Sequence, residues 1–184
     1  MSQHEVLIVD DEASVLDALA QGLQLEGWCC TTFERPVALL AKLSRNFAGV
    51  VLSDLNMPDM DGLSLLQAVK SIDADIPVIL LTGYGDVSIA VQAMQLGAYS
   101  FIEKPVNHAE LLKVLAQAQE QRRLCLQNRL LSEQLKQSRH GRLQLIGDSP
   151  AINQMRTMLD LMLDAPADVL IEGETGSGKE LVAR

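Results

Sequence analysis

The chain has 184 residues, a net charge of −9, 48% apolar residues and 3% aromatic ones. That length suits one domain plus part of another, the apolar fraction excludes a disordered chain, and the acidic balance argues against direct binding of nucleic acid. No apolar run reaches the roughly 18 residues that cross a bilayer, and "MSQHEVLIVDDE" carries acids where a signal sequence would carry its apolar centre, so a cytoplasmic protein without membrane contact is expected.

From Glu5 the chain alternates short apolar runs with helical patterns. "EVLIVD" (5–10) predicts a buried strand closed by acids. "EASVLDALAQGLQLEG" sets Val15, Leu16, Leu19, Leu23 and the stem of Gln24 at helical spacing and stops at Gly27. "WCCTTF" predicts a strand, "PVALLAKLSRN" a helix with Pro36 in its first turn, and "AGVVLSD" a strand. "DGLSLLQAVKS" predicts a helix capped by Asp61, "PVILLTG" a strand, "DVSIAVQAMQLG" a helix and "AYSFIEKP" a strand followed by a turn. Alternation of this kind implies a five-stranded, doubly wound parallel sheet with helices on both faces: an α/β fold.

A last helix of the series opens near Asn107 and meets no Pro or Gly before Gly141. With Val114 as a heptad a position, the a and d residues are Val114, Gln117, Gln121, Leu124, Asn128, Leu131 and Leu135. The second half of that seam is apolar, and Asn128 at an a position favours a parallel two-stranded coiled coil, hence a homodimer. Residues 138–150 ("SRHGRLQLIGDSP") are a linker, "PAINQMRTMLDLML" is helical and "ADVLIEG" a strand. The charges divide the same way: residues 1–106 hold 14 acids and 5 bases, 107–142 hold 3 and 7, and 143–184 hold 7 and 3.

In doubly wound sheets, ligands bind beyond the carboxyl ends of the strands. Asp10 and Asp11 follow the first strand, Asp54 ends the third, Thr82 ends the fourth and Lys104 follows the fifth. Three carboxylates (Asp10, Asp11, Asp54) held within a few ångströms repel one another, and a hard divalent cation, Mg²⁺, relieves this through oxygen ligands. Mg²⁺ also neutralises an arriving phosphoryl group, and such transfer needs mainly positioning and charge neutralisation. Asp54 is the expected acceptor, Lys104 the counter-charge on the phosphoryl oxygens, and Thr82 a hydroxyl donor to them. Asp59, Asp61 and Gly62 do not make a calcium loop, since Met57 and Ala68 stand where ligating oxygens are needed. Cys29, Cys30 and Cys125 have no metal-ligand spacing and read as buried or incidental thiols. Gly83 and Gly85 around Tyr84 suit a mobile loop.

"LIVDDE", "VLSDLNMPDMDG", "LLTGYGD" and "GAYSFIEKP" together resemble the receiver domain of bacterial two-component response regulators, over residues 5 to about 122. The resemblance implies the flavodoxin-like receiver fold, with Mg²⁺ held by Asp10, Asp11, Asp54 and the backbone carbonyl of Asn56. It implies a sensor histidine kinase as phosphodonor to Asp54, and Thr82 with Phe101 as the switch pair. Many members carry Tyr where Phe101 stands, so the ring is kept and its hydroxyl is not. The face built from the fourth helix, fifth strand and fifth helix becomes a second expected partner surface, carrying Met94, Ala90 and Ala93; core packing accounts for Ile89, Ala93 and Leu96 equally well.

"GETGSGKE" supplies Gly173, Glu174, Thr175, Gly176, Ser177, Gly178, Lys179 and Glu180 in the pattern of a loop that cradles ATP phosphates, although Glu180 stands where Ser or Thr is usual. With "LIGDSPAI" before it, the stretch resembles the opening of the AAA+ ATPase domain of sigma-54-dependent transcriptional activators, of the C4-dicarboxylate-transport type, in which Glu at that position is usual. The expected domains are a receiver (1–122), a linker helix (107–140) that dimerises as a coiled coil, and an N-terminal fragment of the AAA+ domain (141–184). The resemblance implies that the intact protein binds ATP, sigma-54 RNA polymerase and DNA, and that its receiver restrains the ATPase in an inactive dimer. The sequence given is then expected to be a phospho-acceptor regulator and not an enzyme. The alternative is a P-loop NTPase acting in its own right. A flavodoxin-like electron carrier lacks support, since "DDEAS" offers no phosphate-binding loop after the first strand.

Overall fold

The computed structural model describes residues 4–83, 87–142, 149–162, 170–174 and residue 179. The chain divides into two compact units, Met1–Asn128 and Arg129–Arg184.

In the first unit, β1 (Glu5–Val9), β2 (Cys29–Phe33), β3 (Val50–Asp54), β4 (Val78–Thr82) and β5 (Ser100–Glu103) form one sheet in the order β2-β1-β3-β4-β5. Every pairing is parallel. The strand order reverses direction at β1, which opens a crevice between the carboxyl ends of β1 and β3. β3 and β4 are buried along their whole length, which is why they read as continuous apolar runs. The edge strand β2 is largely exposed and can afford "CCTTF".

Helices α1 (Ala13–Leu25), α2 (Pro36–Leu40), α3 (Gly62–Ile72), α4 (Val87–Gln95) and α5 (His108–Arg142) cross between or follow the strands. One core, around Leu7, Val51, Leu65, Val69, Ile76, Leu80 and Ala93, lies on one face of the sheet. The other, around Ile8, Leu23, Leu52, Ile79, Leu111, Leu115 and Ala118, lies on the opposite face. α1 buries Leu16, Ala20 and Leu23, so the apolar stripe includes Ala20 and leaves Gln24 outside, because a 3.6-residue period carries Gln24 past the sheet. Gly27, just past α1, has φ +84, a conformation that a side chain disfavours. Asp61 Oδ1 accepts the Ser64 amide at 2.7 Å, which is the expected cap of α3. Asn107 caps α5 in the same way, accepting the amides of Ala109 and Glu110.

Two expectations, the length of the second helix and the strand at "ADVLIEG", are corrected here, and the open alternative on α4 is decided for core packing. The second helix is five residues, not the eleven of "PVALLAKLSRN": beyond Leu40 the backbone turns through Lys42 N to Leu39 O and Leu43 N to Leu40 O, and the carbonyls of Arg45 and Phe47 bond to Arg122 instead. On α4, Ala93 is fully buried, with Ile89 and Leu96 packed against the same core, and Ala90 is half-buried, so Val87, Val91 and Met94 are the large apolar residues left exposed. The described part of "ADVLIEG", residues 170–173, is irregular, and Leu170 is 83% exposed. A parallel strand persists only against hydrogen-bonded neighbours, and among the described residues none pairs with it.

The second unit holds α6 (Pro150–Met162), which Ser149 caps by accepting the Ile152 amide at 3.3 Å. Among the described residues no helix is long and apolar enough to cross a membrane.

Candidate functional site

The crevice between β1 and β3 receives one acid from each side. β1 ends at Val9, so Asp10 is the first residue beyond it, and its side chain is buried; Asp54 is the last residue of β3 and is buried as well. Lys104 enters from the far edge, just after β5, with its amide donating to the Thr82 carbonyl at 2.6 Å. Its Nζ lies 2.9 Å from Asp10 Oδ2 and 2.6 Å from Asp54 Oδ1, so a single ammonium bridges the two carboxylates. The Asn56 amide donates to Asp54 Oδ2 at 2.7 Å, and the Glu12 amide to Asp10 Oδ1 at 2.9 Å.

Burial alone would push the Lys104 ammonium down. The hydrogen bonds and charges of Asp54 and Asp10 outweigh it and hold this lysine above its ordinary range. The ammonium is therefore charged at neutral pH. Its contribution to stability is present below the ordinary lysine range and is lost only as pH rises through the raised value.

Asp11 is exposed at the mouth of the crevice, one residue beyond the buried Asp10. The expected convergence of three carboxylates is thus a pair plus a neighbour: among the described residues no three of His, Cys, Asp or Glu stand where one ion could take them all. Lys104, reaching between Asp10 and Asp54, is what draws those two together. The donors nevertheless suit a hard cation. Two buried carboxylates and the exposed Asp11 offer only oxygen, and the pair already requires a positive partner.

Thr82 is buried at the end of β4, opposite Glu103 in the sheet register. Phe101 lies opposite Leu80 and is partly buried against the core on the α3 and α4 side. Of the residues expected at the site, Asp10, Asp54 and Lys104 touch, Asn56 and Thr82 adjoin them through the backbone, and Phe101 sits on the neighbouring strand. Tyr84 and Gly85 lie outside the described residues. So do Thr175, Gly176, Ser177, Gly178 and Glu180 of the ATP loop. Lys179 donates to the carbonyls of Gly173 at 2.6 Å and Glu174 at 2.5 Å, which closes the ends of that loop on each other. Burial, with Cys29 second, pushes the Cys30 thiol up to about 11, which suits the reading of an inert thiol.

The sequence reading missed two residues. Gly62 opens α3 directly against the acceptor: a Cβ here would stand 2.6 Å from the Asp54 carbonyl oxygen and 2.9 Å from Leu55 Cα, so only glycine lets α3 start so close. Arg122 is fully buried, its fork donating to Asp73 Oδ2 at 2.9 Å and to the carbonyls of Phe47 and Arg45 at 2.8 Å each. The available signal was spacing, because Leu111, Leu115, Ala118 and Arg122 continue one stripe of α5.

Residues 6–116 match the family described as the response regulator receiver domain, and residues 145–184 match the sigma-54 interaction domain. The chain is 44% identical over 178 residues to the C4-dicarboxylate transport transcriptional regulatory protein DctD of Rhizobium meliloti, covering 97% of this chain and 38% of that protein. It therefore spans about two-fifths of the length of the curated relatives it matches. Among solved structures it is similar to the beryllofluoride-activated NtrC4 receiver domain dimer, with a TM-score of 0.60, 36% identity, and 64% and 98% of the two chains covered. It is also similar to NtrX from Brucella abortus in complex with ATP, with a TM-score of 0.59, 33% identity, and 97% and 39% covered.

Proposed function

Since the chain belongs to the response regulator receiver family and carries a match to the sigma-54 interaction domain, we propose that it is the receiver, linker and ATPase opening of a phosphorylation-controlled transcription activator. Asp54 is its acceptor. The observation that carries this is the Asp10–Lys104–Asp54 bridge at the switch point of the sheet: a buried carboxylate, a fixed cation beside it and an open crevice in front.

In the step itself, a carboxylate oxygen of Asp54 attacks the phosphorus of a phosphohistidine on a sensor kinase. The P–O bond forms as the P–N bond breaks, the histidine nitrogen keeps the electron pair and takes a proton, and Asp54 becomes an acyl phosphate. Lys104, already 2.6 Å from Oδ1, turns its charge to the incoming phosphoryl oxygens. The Asn56 amide holds the second oxygen of Asp54 and orients the carboxylate. Asp10, Asp54 and the Asn56 carbonyl would hold Mg²⁺, with Asp11 joining them once it turns inward from its exposed position, and the bound ion would neutralise charge on the phosphoryl group. Thr82 and Phe101 then act as the switch, with the hydroxyl drawn towards the phosphate and the ring moving into the space it leaves. Such chemistry belongs in the cytoplasm with the kinase. Incubation with acetyl phosphate and Mg²⁺ tests the reading: one phosphoryl group is taken up, and removing the metal with EDTA stops it. A chain that takes up none, or is indifferent to EDTA, contradicts it.

The signal leaves through a homodimer. On α5, Gln117, Gln121, Leu124, Asn128, Leu131 and Leu135 are all exposed, while Leu111, Leu115, Ala118 and Arg122 face the core. Val114, the first expected seam residue, packs partly against the receiver, so the seam begins later than the heptads suggested. The exposed stripe of Val87, Val91 and Met94 on α4 is the second surface available to a partner. Replacing both Leu131 and Leu135 by Glu is expected to weaken association by at least about a hundredfold, since each buried leucine contributes about 1.5–3 kcal/mol. Sedimentation checks this, and unchanged association would remove α5 as the interface.

The intact protein, on this reading, binds ATP through Gly173–Glu180 and acts on sigma-54 RNA polymerase at DNA. The alternative, an NTPase in its own right, predicts ATP hydrolysis that survives Asp54→Asn and disappears in Lys179→Ala; nothing in the described contacts favours it.

A further inference from the structure

Arg122 lies far from the acceptor, at the opposite pole of the sheet. Its partners are the loop that leads into β3, through the carbonyls of Arg45 and Phe47, and Asp73, the residue that ends α3. Gln119, one turn earlier on α5, adds a bond to the Ala48 carbonyl at 2.8 Å. β3 and α3 are also the two elements in direct touch with the acceptor. β3 ends in Asp54 itself, and α3 begins at Gly62, packed on the Asp54 carbonyl. Five strand residues and eleven helical ones each span about 15 Å. Both elements therefore run from the phosphoryl crevice to the seat of Arg122.

We infer that Arg122 is a second output contact of the receiver, through which the state of Asp54, carried along β3 and α3, sets how firmly α5 is seated. β3 is buried throughout and α3 packs Leu65, Leu66 and Val69 into the core, so neither can absorb a displacement at one end without passing it to the other. A guanidinium with no exposure, held by three oxygens in fixed directions, responds to a small shift of any one of them. This route is distinct from Thr82 and Phe101, which lie on β4 and β5. The inference rests on Asp54 being the acceptor.

Amide hydrogen exchange on the 184-residue chain, with and without beryllofluoride and Mg²⁺, tests it. In the wild type, beryllofluoride is expected to protect residues 54–62 and to change exchange over 117–128 by at least about fivefold, the low end of usual couplings. In Arg122→Met/Asp73→Asn, which leaves no lone buried charge, protection of 54–62 persists and the response over 117–128 is lost. A double variant that keeps the α5 response overturns the inference, as does a wild type that responds at 54–62 alone. No protection at 54–62 in the wild type would instead overturn the acceptor reading. Should the double variant fail to protect 54–62, Arg122→Lys and Gln119→Leu are judged by the same criterion: loss of the α5 response supports the inference and its retention overturns it.

Discussion

Replacing Asp54 by Asn abolishes phosphoryl uptake from acetyl phosphate while leaving the receiver folded. The amide is isosteric with the carboxylate and can keep the Asn56 amide bond through its oxygen. It loses the nucleophile and its share of the negative charge that holds Lys104. Lys104→Met gives a graded control. The acceptor remains, but the fixed cation facing the developing phosphoryl charge is gone, and the rate is expected to fall by roughly 10²–10³. Asp11→Asn is milder, because Asp11 is exposed and makes no contact with Lys104. Rates of radiolabel incorporation distinguish the three. A phosphorylated Asp54→Asn protein would assign the chemistry to another acid.

Arg122→Ala is the substitution expected to cost most in stability. The residue has no exposure, and its removal takes the guanidinium from the buried Asp73 carboxylate, which keeps the Asp75 amide at 3.1 Å, while cutting the bonds to two loop carbonyls. Breaking one side of such a pair costs about 3–5 kcal/mol. Against the roughly 5–15 kcal/mol that holds a domain together, that is a large fraction. Asp73→Asn added to Arg122→Met removes both charges and should return most of the loss, because much of the penalty is the uncompensated partner. Urea denaturation followed by circular dichroism measures both. An Arg122→Ala protein within 1 kcal/mol of wild type, roughly the value of an exposed pair, would mean that the buried bridge contributes little.

The contrast between these two sites explains what the sequence could carry. Asp54 was legible because a continuous apolar run closes on it, and a fully buried parallel strand must end in polar residues at the pole where ligands bind. Lys104 was legible because it follows the last strand at the same carboxyl pole, although β5 is only partly buried. Which of the adjacent Asp10 and Asp11 turns inward was not, since one residue decides it and the periodicity stops there. Arg122 was invisible to the same reasoning. An arginine in "EQRRLCLQNR" reads as solvated, and its partners lie 75 and 77 residues away in a loop whose shape no local pattern specifies. The shortened α2 is the other half of that miss, because the chain after Leu40 gives its carbonyls to Arg122. Gly62 entered the sequence reading only where a calcium loop was rejected, and only the folded contact with Asp54 shows why a glycine stands there.

The central claim is that the acyl phosphate forms on Asp54. Borohydride reduces an aspartyl phosphate to homoserine, so reducing the phosphorylated chain and mapping its peptides by mass spectrometry locates the acceptor directly. Homoserine at position 54 alone, absent without Mg²⁺, is the predicted result; homoserine at position 10, 11 or 59, or at none, would contradict it.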